Sequence, residues 1–134
     1  MTTRLLLLLS GLLISSLTIA GHHGESKTIA PVASAGQVVV VYEVPCKDVA
    51  TGVATLKDLI AYEASASPIA YSSSPGTIGD GAIGAVDLHL SIASMEKAVA
   101  WQEGDKKWKA LQAISLKACD SSVDGIKVTV VAAQ

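Results

Sequence analysis

The chain has 134 residues, of which 50% are hydrophobic and 16% charged, with 10 Lys and Arg against 12 Asp and Glu. This length suits one domain, and the apolar content excludes an intrinsically disordered protein. A net charge of −2 gives no general attraction to nucleic acid. Arg4 is the only arginine, so the rest of the chain has no bidentate side chain for phosphate. We therefore expect no nucleic-acid partner.

Residues 1–20 have the pattern of a secretory signal peptide. Arg4 precedes an apolar run over residues 5–20, and small residues follow the run. A transmembrane anchor is the alternative, but it needs about 20 strongly apolar residues, and Ser and Gly interrupt this run. We predict an exported protein, periplasmic or secreted, with no membrane attachment once the signal is cleaved after Ala20 or Ala35. Residues 21–35 are predicted to be a linker or a disordered mature N-terminus.

Hydropathy periodicity then predicts alternating strands and helices in chain order. A β-branched run, apolar on both faces, predicts a central strand over residues 37–44. Helical spacing of apolar residues after Asp48, a suitable N-cap, predicts a helix over 48–64. A short edge strand over 67–71 and a Gly/Ser loop over 72–84 follow, and then a strand of alternating hydropathy over 85–90. A helix is predicted over 94–118, beginning at Ser94 with a break at Gly104-Asp105, and a last strand over 125–131.

The order β-α-β-β-α-β predicts an α+β, ferredoxin-like domain over residues 36–134, with a four-stranded antiparallel sheet and two helices on one face. Such a two-layer fold leaves one face of the sheet uncovered, yet the first strand is apolar on both faces. We therefore expect a homodimer in which sheet packs against sheet. The alternative is a monomer with a modest apolar patch.

At the level of pattern the chain resembles the dimeric α/β-barrel superfamily, specifically its antibiotic-biosynthesis-monooxygenase-like and stress-responsive barrel domains. The resemblance rests on the βαββαβ order and on the segment VDLHLSIASMEKAVAWQEGDKKWKAL, residues 86–111. It implies a homodimer with a pocket between sheet and helices, in some members used for cofactor-free oxidation or for haem. Oxygenase members use an Asn-Trp-His set. Trp101 and His89 match two of those residue types, but the chain has no Asn.

Cys46 and Cys119 are predicted to form a disulfide. In the proposed topology, strand one and helix two end at the same edge of the sheet, so both cysteines lie there although they are far apart in sequence. An oxidising compartment favours a bond between them. Two buried free thiols are an alternative, as is a redox pair, although the C-x-x-C spacing usual for such pairs is absent.

Asp87 and His89 are the strongest candidates for catalytic chemistry. Two residues apart on a strand, they share the covered face, where Asp87 can orient the imidazole of His89 for acid–base work. A structural polar pair is the alternative. Ser91 is in phase with both, and we predict that Tyr42, Trp101 and Ser91 line the same pocket.

Other candidates are weaker. Trp108 is predicted to be a core residue. The 72–84 loop has no phosphate-binding signature. It is predicted to be a mobile hairpin loop and is a candidate lid over the pocket. No metal site is predicted, except that His22 and His23 would suit Cu(II) if cleavage follows Ala20, and no cofactor is predicted.

These observations lead to three hypotheses for the function. The first is an exported domain that binds a small apolar or semi-polar molecule. The second is a cofactor-independent monooxygenase-like enzyme that uses the same pocket, with His89 as proton acceptor. The third is a structural or partner-binding module without a pocket.

Overall fold

The computed structural model describes residues 30–134, so the predicted signal peptide and most of the predicted linker lie outside it. The elements are, in order, β1 (Val38–Pro45), α1 (Val49–Ala66), β2 (Tyr71–Ile78), β3 (Ala82–His89), α2 (Ile92–Gly104), α3 (Lys106–Ala118), a 3₁₀ turn (Val123–Gly125) and β4 (Lys127–Ala132). Within residues 30–134 there is no helix with the length and apolar character that crossing a membrane requires.

The four strands form one antiparallel sheet in the order β2-β3-β1-β4. This is the predicted ferredoxin-like α+β fold, and β1 is a central strand as its β-branched sequence indicated. In the register of β1 against β3, Val38 lies opposite His89 and Val40 lies opposite Asp87. All four of these residues are buried, at 2% exposure or less, on the face of the sheet that the helices cover.

The structure corrects the prediction for the Gly/Ser segment. Residues 72–78 belong to strand β2, which begins at Tyr71 and forms a hairpin with β3 through a turn at residues 79–81. The sequence analysis did not predict this strand, because the serines and Pro75 have low strand propensity. They are accommodated because β2 is an edge strand, where proline is tolerated. The segment is therefore not a loop that could close over a pocket.

The helices begin and end at side-chain caps. Asp48 accepts a hydrogen bond from the Thr51 amide at the start of α1, as predicted. α2 begins earlier than predicted, because Ser91 rather than Ser94 is the cap. The predicted break at Gly104-Asp105 is confirmed: Asp105 ends α2 and also caps α3 by accepting from the Trp108 amide, so the domain has three helices rather than two.

The predicted disulfide is present between Cys46, which follows β1, and Cys119, which ends α3. The two cysteines pack with Ile83 in the core, and Gly52 of α1 lies directly against both sulfur atoms. Because the two cysteines are 73 residues apart, the chain-entropy model gives a stabilisation of about 4 kcal/mol.

No helix of residues 30–134 lies on the opposite face of the sheet. Residues that alternate with the buried ones point to this face, among them Val39 and Val41 of β1, Val86 of β3 and Val131 of β4. Val86 is 42% exposed and Val131 is 53% exposed. We call this surface the open sheet face. Its apolar character is what the two-sided apolar pattern of β1 indicated.

Candidate functional site

A cavity of about 420 Å³ lies between the sheet and the helices. This volume is within the range of roughly 300–1,000 Å³ that is usual for small-molecule sites. Its apolar wall comes from β1, β3, α1 and α3. The main apolar side chains are Val44, Leu56, Leu59, Ile60, Ile83 and Leu116.

Polar side chains from six elements also line this cavity. Two of them are carboxylates, Asp87 of β3 and Glu63 of α1. The others are Tyr42, Ser73, Gln102, Glu103, Trp108, Lys109, Gln112 and Ser115. A cavity with apolar walls and a few polar groups matches the usual form of a ligand site.

Asp87 is the most unusual group in the cavity. It is only 2% exposed, and its Oδ1 atom has no hydrogen-bond partner among the described residues. Burial raises the pKa of Asp87 from 3.8 to about 7. The hydroxyl of Ser73, opposite Asp87 on β2, lowers this pKa although its Oγ is not in hydrogen-bond geometry with the carboxyl, and the charge of Glu63 raises it. A buried, unpartnered carboxyl is costly, and a pKa near neutrality suits a group that exchanges protons.

Glu63 is also buried, at 6% exposure, but it has partners. Its Oε1 accepts from Gln102 Nε2 at 3.2 Å and from Trp108 Nε1 at 2.5 Å. Burial raises the pKa of Glu63, and these donors act against that rise. The Gln102 amide donates in addition to the Tyr71 hydroxyl at 3.1 Å. The carboxylate is therefore held in one position by donors from α2 and α3.

His89, two residues after Asp87 on the same face of β3, does not line the cavity. It is 1% exposed, and its ring stacks on Tyr71 with centroids 4.9 Å apart. His89 Nε2 is 3.8 Å from Asp87 Oδ2, too far for a hydrogen bond, and neither ring nitrogen has a hydrogen-bond partner in the part of the chain that the structure describes. Burial lowers the pKa of His89, so the neutral imidazole is favoured.

The structure places the predicted pocket residues in different environments. Tyr42 lines the cavity, and burial raises its pKa to about 12, so it is a neutral hydroxyl at physiological pH. Ser91 and Trp101 do not line it: Ser91 caps α2, and Trp101 stacks on Tyr62 at 6.3 Å. The prediction is corrected at these two positions. Trp108, predicted as a core residue, lines the cavity instead.

The sequence analysis missed Glu63 and Gln102. A signal for Glu63 was available, because it follows Leu56, Leu59 and Ile60 on the apolar stripe of α1, where a charged residue is unusual. Gln102 had no comparable signal.

Within residues 30–134, no three His, Cys, Asp or Glu side chains are grouped so as to hold a metal ion. His22 and His23 lie outside the described residues. Two carboxylates without further ligands do not match the coordination that Ca²⁺ or Zn²⁺ takes in proteins.

Comparison with known proteins gives likeness in structure only. A Caulobacter crescentus protein with a provisional description as an antibiotic biosynthesis monooxygenase is 16% identical, with a TM-score of 0.54 over 75% of this chain and 92% of that one. A Jannaschia protein described as dimeric, ferredoxin-like and of unknown function is 12% identical, with a TM-score of 0.53 over 72% and 98%.

A third solved structure is a mutant of SnoaB, a cofactor-independent oxygenase from Streptomyces nogalater. It is 13% identical, with a TM-score of 0.50 over 75% of this chain and 95% of that one. No protein-family model and no curated protein matches the sequence. The chain thus has the fold of the antibiotic-biosynthesis-monooxygenase-like, ferredoxin-like proteins, and the resemblance predicted from the sequence is confirmed at the level of fold.

Proposed function

We propose that this protein is an exported, homodimeric domain that binds a small, mainly apolar molecule in the cavity between its sheet and helices. The observation that carries the proposal is the combination of that cavity with Asp87, whose buried Oδ1 lacks a hydrogen-bond partner within the described residues. Buried polar atoms normally have hydrogen-bond partners. A ligand with a donor group supplies the missing one while its apolar part lies against the wall.

The open sheet face supports the dimer. It is apolar at its centre, and one protein of similar fold is described as dimeric. A second copy that packs face to face would bury the valines of β1, β3 and β4, and a twofold axis makes one patch complementary to itself.

Two features support export. Arg4 and the apolar run after it have the signal-peptide pattern, and the disulfide suits an oxidising compartment. Native mass spectrometry of the protein recovered from the periplasm or medium tests export, the dimer and any retained ligand together. Recovery of an uncleaved monomer from the cytosol would contradict both the export and the dimer proposals.

Binding in the cavity is tested with the neutral fluorophore N-phenyl-1-naphthylamine. We expect saturable binding at one site per chain. Ala85→Leu adds volume at the cavity wall and should weaken binding of the fluorophore at least tenfold. Ala110→Leu, at an exposed site on α3, should leave this binding unchanged. Equal binding by the Ala85 variant, or none by the wild type, would refute a ligand site here.

The open sheet face is tested by sedimentation. Val86→Lys places a charge at its centre and should give monomers, because an unpaired charge in an apolar interface is costly. Ile114→Lys is the matched control, since Ile114 is 54% exposed on α3 and away from this face. If both variants stay dimeric, or the wild type is a monomer, the proposed interface is wrong.

A second candidate function is a cofactor-independent monooxygenase-like activity in the same cavity. The observation in its favour is the pKa of Asp87 near 7, which suits a group that removes a proton from a bound substrate. This assigns the role of proton acceptor to Asp87 rather than to His89, which does not face the cavity. Oxygen consumption with a ligand identified by mass spectrometry, lost in Asp87→Asn, separates the enzyme from the binding protein.

A further inference from the structure

Among residues 30–134 the two buried carboxylates of the cavity have no lysine partner. The basic group beside Asp87 is His89, whose Nε2 is 3.8 Å from Asp87 Oδ2 and whose pKa is lowered by burial. Among residues 30–134 the lysine ion pairs are Lys47 with Asp120 and Lys127 with Glu43, both at the surface. Lys109 lines the cavity but forms no salt bridge with Asp87 or Glu63.

This arrangement is electrostatically unfavourable without a ligand. Asp87 and Glu63 are both buried, and they are close enough for the charge of Glu63 to raise the pKa of Asp87. Buried charges are normally paired, and like charges in one site oppose each other's ionisation. A ligand that brings a positive charge removes both penalties at once.

We propose that the natural ligand of the cavity is an apolar amine, whose protonated amino group lies between Asp87 and Glu63. The proposal rests on the proposed function and names the chemical class of the ligand. A primary ammonium has three donors and no acceptor. It is therefore complementary to a site whose carboxylates accept hydrogen bonds, and in which Oδ1 of Asp87 has no partner among residues 30–134.

Other ligand classes fit the site less well. An alcohol can donate one hydrogen bond but leaves the repulsion between the carboxylates in place. A carboxylate or phosphate adds a third negative charge. A metal ion would need more ligands than the two carboxylates provide. The rings of Tyr42 and Trp108 line the same cavity, and aromatic faces favour cations over anions.

Amine binding should depend on pH through Asp87, which must be ionised to pair with the ligand. The groups around Asp87 that titrate or carry charge are Glu63 on α1, Tyr42 on β1, Tyr71 on β2 and His89 on β3, with Glu103 and Lys109 elsewhere on the cavity wall. Both tyrosines are neutral hydroxyls between pH 6 and 8, and burial lowers the pKa of His89 and so favours its neutral form. An aliphatic amine remains protonated throughout this range.

The inference is tested by displacement of N-phenyl-1-naphthylamine with three probes of one shape: cyclohexylmethylamine, cyclohexylmethanol and cyclohexanecarboxylate. At pH 8 we expect the amine to bind at least tenfold more tightly than the alcohol, and the carboxylate to bind more weakly than either. The amine should bind about tenfold more weakly at pH 6, where Asp87 is mostly protonated.

Asp87→Asn should remove the preference for the amine over the alcohol, while the affinity for the alcohol should stay the same. Glu96→Gln, which neutralises an exposed acid on α2 that does not line the cavity, should keep the preference. The pH series uses the wild type alone, so the test stands even if the Asp87 variant does not fold. Alcohol binding equal to or tighter than amine binding overturns the amine inference but leaves a ligand cavity. Failure of the neutral fluorophore to bind overturns the proposed function itself.

Discussion

Replacement of Asp87 by Asn should change how the stability of the protein depends on pH. Burial raises the pKa of Asp87 in the folded chain from 3.8 to about 7. Between these two values the folded state binds a proton that the unfolded state releases. The free energy of unfolding therefore falls as the pH rises through this window, and it levels off above the folded pKa. Three pH units at about 1.4 kcal/mol each give a loss of about 4 kcal/mol at most.

An asparagine has the shape of the protonated acid and does not ionise. At pH 4 we expect the variant to be about as stable as the wild type, and at pH 8 to be more stable, by up to about 4 kcal/mol. That difference is large against a total stability of about 5–15 kcal/mol for a domain of this size. A pH dependence of the same sign should remain in the variant, because burial also raises the pKa of Glu63.

Urea denaturation followed by circular dichroism at pH 4, 6, 7 and 8 measures this difference. Asp124→Asn, at an exposed position, is the matched control and should follow the wild type at every pH. If the curves for the Asp87 variant and the wild type are parallel from pH 4 to 8, then burial does not raise the pKa of Asp87, and the tenfold loss of amine binding expected between pH 8 and pH 6 loses its basis.

Three further outcomes are expected. Gly52→Ala should lower the free energy of unfolding by about 1–3 kcal/mol, because its Cβ would lie 2.6 and 2.7 Å from the two disulfide sulfurs. Once both cysteines are replaced by serine, the same change should instead stabilise α1 by up to about 1 kcal/mol. An effect of the same sign in both backgrounds, measured by urea denaturation, would contradict this. Trp108→Phe removes the indole donor to Glu63 and should cost about 1–3 kcal/mol by the same assay, with Trp101→Phe as a milder control. Asp48→Ala should cost about 1 kcal/mol through the lost cap of α1, and an unchanged thermal midpoint would refute the capping role.

The sequence predicted the fold correctly where burial of apolar side chains determines the local structure. The β-branched run of β1 and the helical spacing of α1 reflect burial, and the order of elements was enough to bring Cys46 and Cys119 together. β2 was missed because Ser72–Ser74 have low intrinsic strand propensity. Pairing with β3 and a position at the edge outweighed that propensity.

The site was harder to predict than the fold, because it depends on side chains that are distant in sequence. Alternation along β3 correctly put Asp87 on the covered face. Glu63 and Trp108 meet across α1 and α3, and no local pattern encodes that contact. Trp101 and Trp108 are seven residues apart and look alike in sequence, but the restart of the helix at Asp105 puts only Trp108 in the cavity.

The disulfide makes most of this domain a covalent ring. The closed ring runs from Cys46 to Cys119 and contains all three helices and both strands of the β2–β3 hairpin. β1 and β4 are the two tails that leave the ring, and they pair with each other inside the sheet. A single proteolytic cut at the exposed hairpin turn near Asp80 would therefore release no fragment. The nicked molecule would keep its full mass until reduction, and the cavity would remain enclosed by a chain that is cut but still continuous through its sulfurs.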